Sequence, residues 1–408
     1  MRVLFISSTF PGSDLRVKVH GLYQRMSMFV DAIKHIAQLD MLFYVPAHTD
    51  TSPSTVSALT QTLSKHWQTD INLCLCPKFK RQGQYAGRKR YWSGLWSIFK
   101  QPGYIGTSGI KQVQELEACL DQKPDAVFVH RLPSMSPLLL TRKALPPIFF
   151  DLDDIEHIAL TRHLNQQSKA QAHPWSTYLQ LPALWWGEYC AIRQACKTFV
   201  CSETDRHYLS KKLRLPGIVT IPNAVPMPEP QPVPPEPTLL FIGSYTYPPN
   251  VDAAEFLIEQ IWPQVHQALP SARLLIAGAS PHNIRGYTTG LAGVEFTGFV
   301  DDLDALYRRA RVVCCPVRSG GGTRIKLIEA AAYGKAIVST RIGAEGLNLK
   351  ECQDIVLQDH PQFFAQACLT LLQDAERCQH LGTAARQVAI QHYDRDNILQ
   401  SIQQCLKV

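Results

Sequence analysis

The 408-residue sequence lacks several features that would place it in a special class of protein. It has 12 cysteines but no CxxC pair, so a structural zinc site is not expected. No run approaches 18 uncharged apolar residues, and the apolar run after Met1 is too short for a signal peptide. Charged residues make up 18% and hydrophobic residues 45%, which excludes a disordered or coiled-coil chain. We therefore expect a cytoplasmic protein with reduced thiols.

Acidic residues are also missing from one long interval. None lies between Asp70 and Glu115, whereas eight lysines and arginines lie within 78–111. The formal net charge is +7, which leaves −1 for the rest of the chain. Because Trp92 and Trp96 stand among these cations, the segment is predicted to contact an anionic membrane surface peripherally, on the inner face of the cell membrane. A collar for an anionic ligand and a solvated surface remain alternatives, and nucleic-acid binding is not expected.

Proline is concentrated between residues 222 and 237. Because proline lacks an amide hydrogen and restricts φ, this stretch is predicted to be a stiff linker. A chain of this length exceeds what one hydrophobic core usually supports. The linker is therefore expected to separate an N-terminal domain, 1–221, from a C-terminal domain, 238–390.

Both halves alternate short β-rich runs with segments of helical spacing, such as Leu22, Met26, Phe29 and Ile33. This alternation predicts the α/β fold class, with one Rossmann-like, doubly wound domain in each half. Open α/β sheets bind ligands at their strand ends, so the two domains are expected to face each other across a cleft. The predicted strands are Val3–Ile6, Met41–Val45, Ala126–Val129, Ile148–Asp151, Thr198–Cys201, Ile218–Ile221, Leu239–Ile242, Arg273–Ala277, Val294–Thr297, Val312–Cys315, Ala336–Ser339 and Asp354–Leu357.

The strongest ligand-binding pattern follows the predicted strand 312–315. Three consecutive glycines, Gly320, Gly321 and Gly322, precede a helix that is predicted to begin near Thr323. Glycine lets the backbone approach a bulky anion closely, and a helix N-terminus offers free amides with a positive dipole end. The pattern therefore indicates an anion site, with a glycine-rich turn as the alternative.

Charged side chains in the predicted helix extend this pattern. Arg324 and Lys326 lie in the first turn, where cations oppose the helix dipole, so a bound diphosphate would explain them better than helix stability does. The amides up to Ile325 would contribute to the same site. Glu329, one to two turns later, could accept hydrogen bonds from a ribose diol.

Two longer segments, Glu329–Thr340 and Gly343–Leu347, resemble the donor-site signature of retaining GT-B glycosyltransferases of the group 1 (family 4) type. Supporting pieces occur in the family's order, at Val200–Glu203, Ile221–Ala224, Phe241–Ser244, Leu275–Gly278 and Phe296–Val300. The resemblance covers most of the C-terminal half. It implies transfer of a hexose, with retention, from a nucleotide diphosphate sugar to a hydroxyl of a glycan or lipid-linked acceptor.

The resemblance has further implications. The pathway would be cell-surface polysaccharide or glycolipid synthesis, without a metal or other cofactor. In the family the leaving diphosphate is thought to assist deprotonation of the acceptor, so stabilising that group would be the main catalytic contribution. The segment 391–408 would pack back on the first domain.

Further donor contacts are implied at Gly243 and Ser244, after the first strand of the C-terminal domain, and at Phe299, near the nucleotide base. A core aromatic is the alternative for Phe299, and Tyr245 or Tyr247 could stack on the donor.

The sequence departs from the family pattern in two places. The first of the family's two glutamates falls on Gly321, and the loop 244–250 carries no cation. We therefore hypothesise that Arg324 and Lys326 together neutralise the leaving diphosphate.

Candidate residues in the first half follow strand ends. Gly12 and Asp14 lie in the loop after the first strand and are expected on the acceptor side. His130 ends another strand and is predicted at the cleft rim, where the family often has a histidine that contacts the transferred sugar. Asp151 and Asp153 belong to an acidic cluster for which we predict a catalytic or acceptor role. A metal-binding DxD and a helix N-cap are alternatives for the cluster.

Two other functions remain open. A GT-B sugar-nucleotide epimerase would need acid and base residues in the cleft and no acceptor. A catalytically silent subunit that binds a sugar nucleotide is compatible with Gly321.

Overall fold

The computed structural model describes residues 1–12, 21–78, 109–167, 178, 180–287 and 290–407. The chain forms two compact units, one of Met1–Ile221 with Leu399–Val408 and one of Pro222–Ile398. Each unit contains a parallel sheet with helices and a hydrophobic core of its own. The predicted fold class, α/β with two Rossmann-like domains, is confirmed.

The first unit is built on a seven-stranded parallel sheet with the order β3-β2-β1-β4-β5-β6-β7. The order reverses at β1 and β4, as in a doubly wound sheet. Its strands are β1 Arg2–Ser7, β2 Gln38–Val45, β3 Ile71–Pro77, β4 Ala126–His130, β5 Ile148–Asp153, β6 Lys197–Val200 and β7 Ile218–Thr220. Its helices are α1 Gly21–Lys34, α2 Pro53–Trp67, α3 Ile110–Leu120, α4 Leu132–Leu140, α5 Glu156–Gln167, α6 Gln180–Gln194 and α7 Glu203–His207, which continues as the π-helical turn Tyr208–Lys212.

The second unit has a six-stranded sheet with the order β10-β9-β8-β11-β12-β13. Its strands are β8 Thr238–Ile242, β9 Arg273–Ala277, β10 Val294–Gly298, β11 Val312–Cys315, β12 Ala336–Ser339 and β13 Val356–Leu357. Its helical segments are α8 Pro248–Phe256, the π-helical turn Leu257–Ile261, α9 Trp262–Ala268, the 3-10 turn Pro281–Asn283, α10 Leu303–Arg309, α11 Ile325–Ala332, α12 Pro361–Gln373, α13 Ala375–Tyr393 and α14 Arg395–Leu406, which extends into the first unit.

All twelve predicted strands are present, with ends that differ by at most three residues, but the prediction missed β3. This strand lies at the edge of the sheet and is only partly buried. Edge position alone does not explain the omission, because β7, β10 and β13 are edge strands too and were predicted. In α1, Met26, Phe29 and Ile33 are buried as predicted, whereas Leu22 is 40% exposed.

The proline-rich segment 222–237 belongs to the second unit and is held there by buried cations. Lys335 donates from Nζ to the carbonyl of Pro232 at 2.9 Å, and Arg311 donates from Nη2 to the carbonyl of Pro234 at 2.8 Å. Proline has a carbonyl acceptor but no amide donor, so lysine and arginine side chains, which only donate, can satisfy the carbonyls of such a segment. The sequence predicted a stiff linker here, and the structure shows a packed segment.

The end of the chain takes part in the first unit from Leu399 onward. Lys197 donates from Nζ to the carbonyl of Cys405 at 2.7 Å, and Ile402 is fully buried. Of the segment 391–408, residues 391–398 belong to the second unit.

Candidate functional site

The glycine-rich loop connects β11 to α11 in the second unit. Gly320 and Gly322 have φ values of 106° and 62°, in the left-handed region that favours glycine. A Cβ atom on Gly320 would lie 3.0 Å from the hydroxyl of Tyr247 and 3.2 Å from Nη2 of Arg324. Both the backbone conformation and the close packing therefore call for glycine. The helix begins at Ile325, two residues later than predicted.

Arg324 folds back over this loop. Its Nη1 donates to the carbonyls of Gly321 and Gly322, the latter at 2.7 Å, and its Nη2 donates to the carbonyl of Ser319 at 3.2 Å. The residue is 9% exposed. Both terminal nitrogens of Arg324 are thus bonded to backbone carbonyls of the loop, and its contact with a diphosphate stays a prediction.

Lys326, in the first turn of α11, extends toward the end of β8. Its Nζ donates to Oδ1 of Asn250 at 2.9 Å and lies 4.5 Å from the ring centroid of Phe241. A Cβ atom on Gly243 would stand 3.0 Å from this Nζ, so glycine is needed there for space. Burial, supported by the nearby charge of Arg324, lowers the pKa of Lys326 to about 8.

Asn250 ties the loop after β8 to this lysine. Its Nδ2 donates to the carbonyl of Ser244 at 2.9 Å, while the hydroxyls of Ser244 and Thr246 lie 2.9 Å apart. Tyr245 is fully buried and donates to the carbonyl of Ala277, so it is a core residue. Tyr247 is 46% exposed, and its hydroxyl lies beside Gly320 of the glycine-rich loop.

Asn223 was not among the predicted site residues, although it lies in the Ile221–Ala224 motif. Its Nδ2 donates to Oγ1 of Thr323 at 2.9 Å, and Asn223 is 4% exposed. This bond fixes the residue that joins the glycine loop to α11. A polar residue after a strand and a proline was the available signal, but its partner lies 100 positions away in the chain.

The remaining predicted donor residues lie at two places in the second unit. Glu329 is half-buried on α11, one turn after Lys326, and its negative charge adds to burial in raising the pKa of Tyr307. Phe299 is 41% exposed, which argues against the alternative of a core aromatic. The preceding carbonyl, of Gly298, accepts from the amide of Gly278 at 2.7 Å.

In the first unit, Asp151 forms a buried ion pair with Arg25. Nη2 of Arg25 lies 2.6 Å from Oδ1 of Asp151, and both side chains are at most 1% exposed. Burial raises the pKa of Asp151 to about 6, although Arg25 opposes the rise. The prediction missed Arg25, yet its position three residues after Leu22 and four before Phe29 indicated the apolar face of α1.

His130 and Asp151 are both fully buried, which corrects the predicted placement of His130 at the cleft rim. Nδ1 of His130 lies 2.9 Å from Oγ of Ser7, and Nε2 lies 3.8 Å from Oδ2 of Asp151. Burial, with the charges of Arg131 and Arg25, lowers the pKa of His130 well below its usual value. The imidazole is therefore neutral at pH 7, and in this structure neither side chain reaches solvent.

Asp153 ends β5 and Arg131 directly follows β4, both with positive φ values, 63° and 69°. Nε of Arg131 lies 3.8 Å from Oδ2 of Asp153, and Nε of Arg25 lies 3.4 Å from Oδ1. The Asp-Leu-Asp segment is thus an ion-pair cluster with two arginines. Gly12 is half-buried with φ 72°. Asp14 lies outside the described residues.

Comparison with known proteins bears on the second unit. Residues 236–374 match the family model described as glycosyl transferases group 1. This segment is similar to the group 1 glycosyltransferases. The match includes β8, the glycine-rich loop and α11, so Gly243, Arg324, Lys326 and Glu329 all lie inside the matched segment. It supports the group 1 part of the predicted resemblance for this segment.

The chain is similar to two proteins over less than half of their length. It is 32% identical over 166 residues to the phosphatidyl-myo-inositol mannosyltransferase of Mycobacterium tuberculosis, which covers 38% of the chain and 43% of that enzyme. It is 22% identical over 172 residues to an uncharacterized 44.6 kDa protein in the cps region of Klebsiella pneumoniae, which covers 40% of the chain and 44% of that protein.

A crystal structure similar to the whole chain is that of Anabaena HepE in complex with UDP and glucose. The TM-score is 0.63, the identity 13%, and the comparison covers 100% of this chain and 99% of HepE. At this identity the likeness shows a common fold. It supports the fold class for both units, including the first, where the family model does not match.

Proposed function

We propose that the protein is a glycosyltransferase that moves a hexose from a nucleotide diphosphate sugar to a hydroxyl of a glycan or lipid-linked acceptor, with retention. The names of its relatives support this proposal: one is a mannosyltransferase, one lies in a cps region, and HepE was crystallised with UDP and glucose. Cell-surface polysaccharide or glycolipid synthesis is the pathway class we propose, in the cytoplasm and without a metal cofactor.

The glycine-rich loop of the matched segment carries the proposal. Its glycines, the N-terminus of α11 and the half-buried Lys326 offer amides and one positive charge to a diphosphate. Such donors stabilise negative charge that develops on a leaving group. Lys326 would neutralise the diphosphate, Glu329 would accept from the ribose, and Gly243, Ser244 and exposed Phe299 would line the remainder.

The roles of residues in the first unit follow their burial. We propose that Asp151 and His130 support the end of the sheet from inside, through Arg25 and Ser7. Gly12, Asp14 and Asp153 remain our candidates on the acceptor side.

A panel of nucleotide sugars tests the function. The purified full chain is screened with UDP-, GDP- and ADP-sugars by thermal shift, and each donor that binds is then tested for transfer to lipid-linked and free glycans. We expect one nucleotide class to stabilise the chain and to release its diphosphate during transfer. If no nucleotide sugar binds, the proposal is wrong. Epimer formation without acceptor would favour an epimerase.

Gly321 supports a second candidate, a silent subunit that binds sugar nucleotide without turnover, because the family's first glutamate falls on this residue. The same experiment separates the two functions. Transfer by the chain alone excludes the silent subunit. Binding without transfer or hydrolysis favours it, and Gly321→Glu is then the variant to test for gained turnover.

We further propose that the segment 78–111 brings the protein to an anionic membrane and thus to a lipid-linked acceptor. Residues 79–108 lie outside the described residues, but both flanks are described. Nε2 of Gln112 donates to the carbonyl of Pro77 at 3.4 Å, so the segment leaves and rejoins the unit beside the carboxyl end of β3. None of the helices in the described ranges has the length and apolar character to cross a membrane.

Sedimentation with lipid vesicles tests this contact. We expect the full chain to bind vesicles that contain anionic lipid and to bind less after Arg88, Lys89 and Arg90 are neutralised, because each cation near such a surface contributes about 1 kcal/mol. Neutralising the exposed Arg308 and Arg309 in the second unit is the control. Equal binding to neutral vesicles, or no effect of the triple variant, would remove the proposal.

A further inference from the structure

We infer that Arg324 is a positioning residue, which turns the backbone amides of Gly322 and Thr323 toward the leaving diphosphate without contacting that group. The inference rests on the proposed function, because it assumes that the glycine-rich loop binds a nucleoside diphosphate. It differs from the sequence-based hypothesis, in which Arg324 and Lys326 both supplied charge to the diphosphate.

Three backbone carbonyls converge on the guanidinium of Arg324. The carbonyl oxygens of Ser319, Gly321 and Gly322 all accept from the terminal nitrogens of Arg324. Carbonyl dipoles that point at one place repel each other unless a cation lies between them. The planar guanidinium has several donors in a fixed arrangement and can serve all three, whereas an ammonium group is a compact point charge.

The geometry of the peptide bond fixes the direction of the amides of Gly322 and Thr323. In a planar trans peptide the N–H points opposite to the C=O. When the carbonyls of Gly321 and Gly322 point at Arg324, the amides of Gly322 and Thr323 therefore point away from it. Within the part of the chain that the structure describes, neither of these two amides donates a backbone hydrogen bond.

These two amides lie at the N-terminal end of α11. Gly322 and Thr323 directly precede the first helical residue, Ile325, so their donors add to the positive end of α11. Oγ1 of Thr323 accepts from Asn223, which fixes the connection on its other side. Arg324 and Asn223 thus hold the loop before any ligand binds, and a diphosphate would meet amides that are already oriented.

Arg324 and Lys326 therefore have different roles. Nζ of Lys326 donates to Asn250, lies over the ring of Phe241 and would interact with the diphosphate as a charge. The charge of Arg324 is directed into the loop, and its Nε is buried without a hydrogen-bond partner among the described residues. A direct ligand contact through Nε is the competing arrangement, and the experiment below distinguishes it.

The experiment measures the affinity of the full chain for UDP by calorimetry, with Arg324→Lys, Arg324→Ala and Lys326→Arg. We expect Arg324→Lys to bind UDP at least about tenfold more weakly than the wild type, and nearly as weakly as Arg324→Ala, since hydrogen bonds to a charged group contribute about this factor each. Lys326→Arg, which keeps the positive charge, should lose less affinity. Arg341→Lys, on the exposed surface of the same unit, is the control.

Chemical rescue provides a second measurement that general destabilisation does not mimic. Guanidinium ion at millimolar concentration should restore UDP binding to Arg324→Ala, because it can occupy the vacated position and bond the three carbonyls. Methylammonium, with the same charge, should not restore binding. If Arg324→Ala does not fold, the comparison of the wild type with Arg324→Lys decides.

Two results would overturn the inference: UDP binding by Arg324→Lys within about twofold of the wild type, or equal rescue by methylammonium and guanidinium. Either result would show that Arg324 acts as a charge. If the wild type binds none of UDP, GDP and ADP, the proposed function fails instead, so the two failures are distinguishable.

Discussion

At the scale of single residues, the candidate site in the second unit depends on two glycines that leave space for neighbouring side chains. Gly243 leaves room for Nζ of Lys326, and Gly320 leaves room for Tyr247 and Arg324. A Cβ atom at either glycine would crowd these side chains. The glycines and cations of this unit therefore form one arrangement.

The affinity for UDP should depend on pH through Lys326. Because burial lowers its pKa to about 8, the side chain is charged at pH 7 and becomes neutral as the pH rises above 8. We expect a constant affinity between pH 7 and 7.5 and a progressive loss up to pH 9.5, measured by calorimetry. Lys326→Arg should remove this loss, since arginine stays protonated. A wild-type affinity that stays constant up to pH 9.5 would contradict the assignment.

Gly243→Ala should reduce UDP affinity while the fold is retained. The new Cβ atom would lie 2.9 Å from the Asn250 side chain and 3.0 Å from Nζ of Lys326, and both groups can move aside. We expect about tenfold weaker binding and less than about 1.5 kcal/mol loss of stability. Gly187→Ala is the matched control, because no atom lies within 4 Å of its Cβ position in α6. It should stabilise the protein by about 0.5–1 kcal/mol and leave UDP binding unchanged.

At the scale of elements, one charged pair joins a helix to a sheet in the first unit. Arg25 lies on the apolar face of α1 and reaches Asp151 in β5, and its Nη1 donates to the carbonyl of Ile221 at 2.9 Å. The helix is thereby connected both to the sheet and to the last residue before the proline-rich segment. The pair keeps two otherwise isolated charges compatible with a dry core.

Arg25→Met should destabilise the first unit by about 3–5 kcal/mol, because it leaves the Asp151 carboxylate buried without its partner. The double variant Arg25→Met/Asp151→Leu should be more stable than the single one, since the Asp151 carboxylate is gone and Asp153 keeps Arg131 as a partner. Urea unfolding measures both differences. The exposed pair of Arg206 and Glu203 is the control, and Arg206→Met should change stability little. A double variant less stable than Arg25→Met would contradict this account.

At the scale of the whole molecule, the two units have separate hydrophobic cores. The helix α14 has residues in both units. Ligands and core substitutions should therefore act on one unit at a time. The proposed nucleotide site is built entirely from residues of the second unit, whereas the Arg25–Asp151 pair belongs to the first.

Calorimetric unfolding of the full chain should show two transitions. UDP should raise the temperature of one of them, since a ligand stabilises the unit that binds it. Arg25→Met should lower the other. A single transition that both changes shift together would indicate that the units unfold as one, and would contradict this prediction.

The sequence by itself determined the fold class, twelve of the thirteen strands in the described part of the chain and the loop at the start of α11, because these depend on local periodicity and glycine. It did not reveal β3, which is only partly buried. It placed His130, Asp151 and Arg324 at the correct strand or helix ends but not the direction of their side chains. Those directions depend on Arg25, Ser7 and the carbonyls of residues 319–322. Only tertiary structure brings these groups together, since a buried polar atom must take the partner that the fold provides.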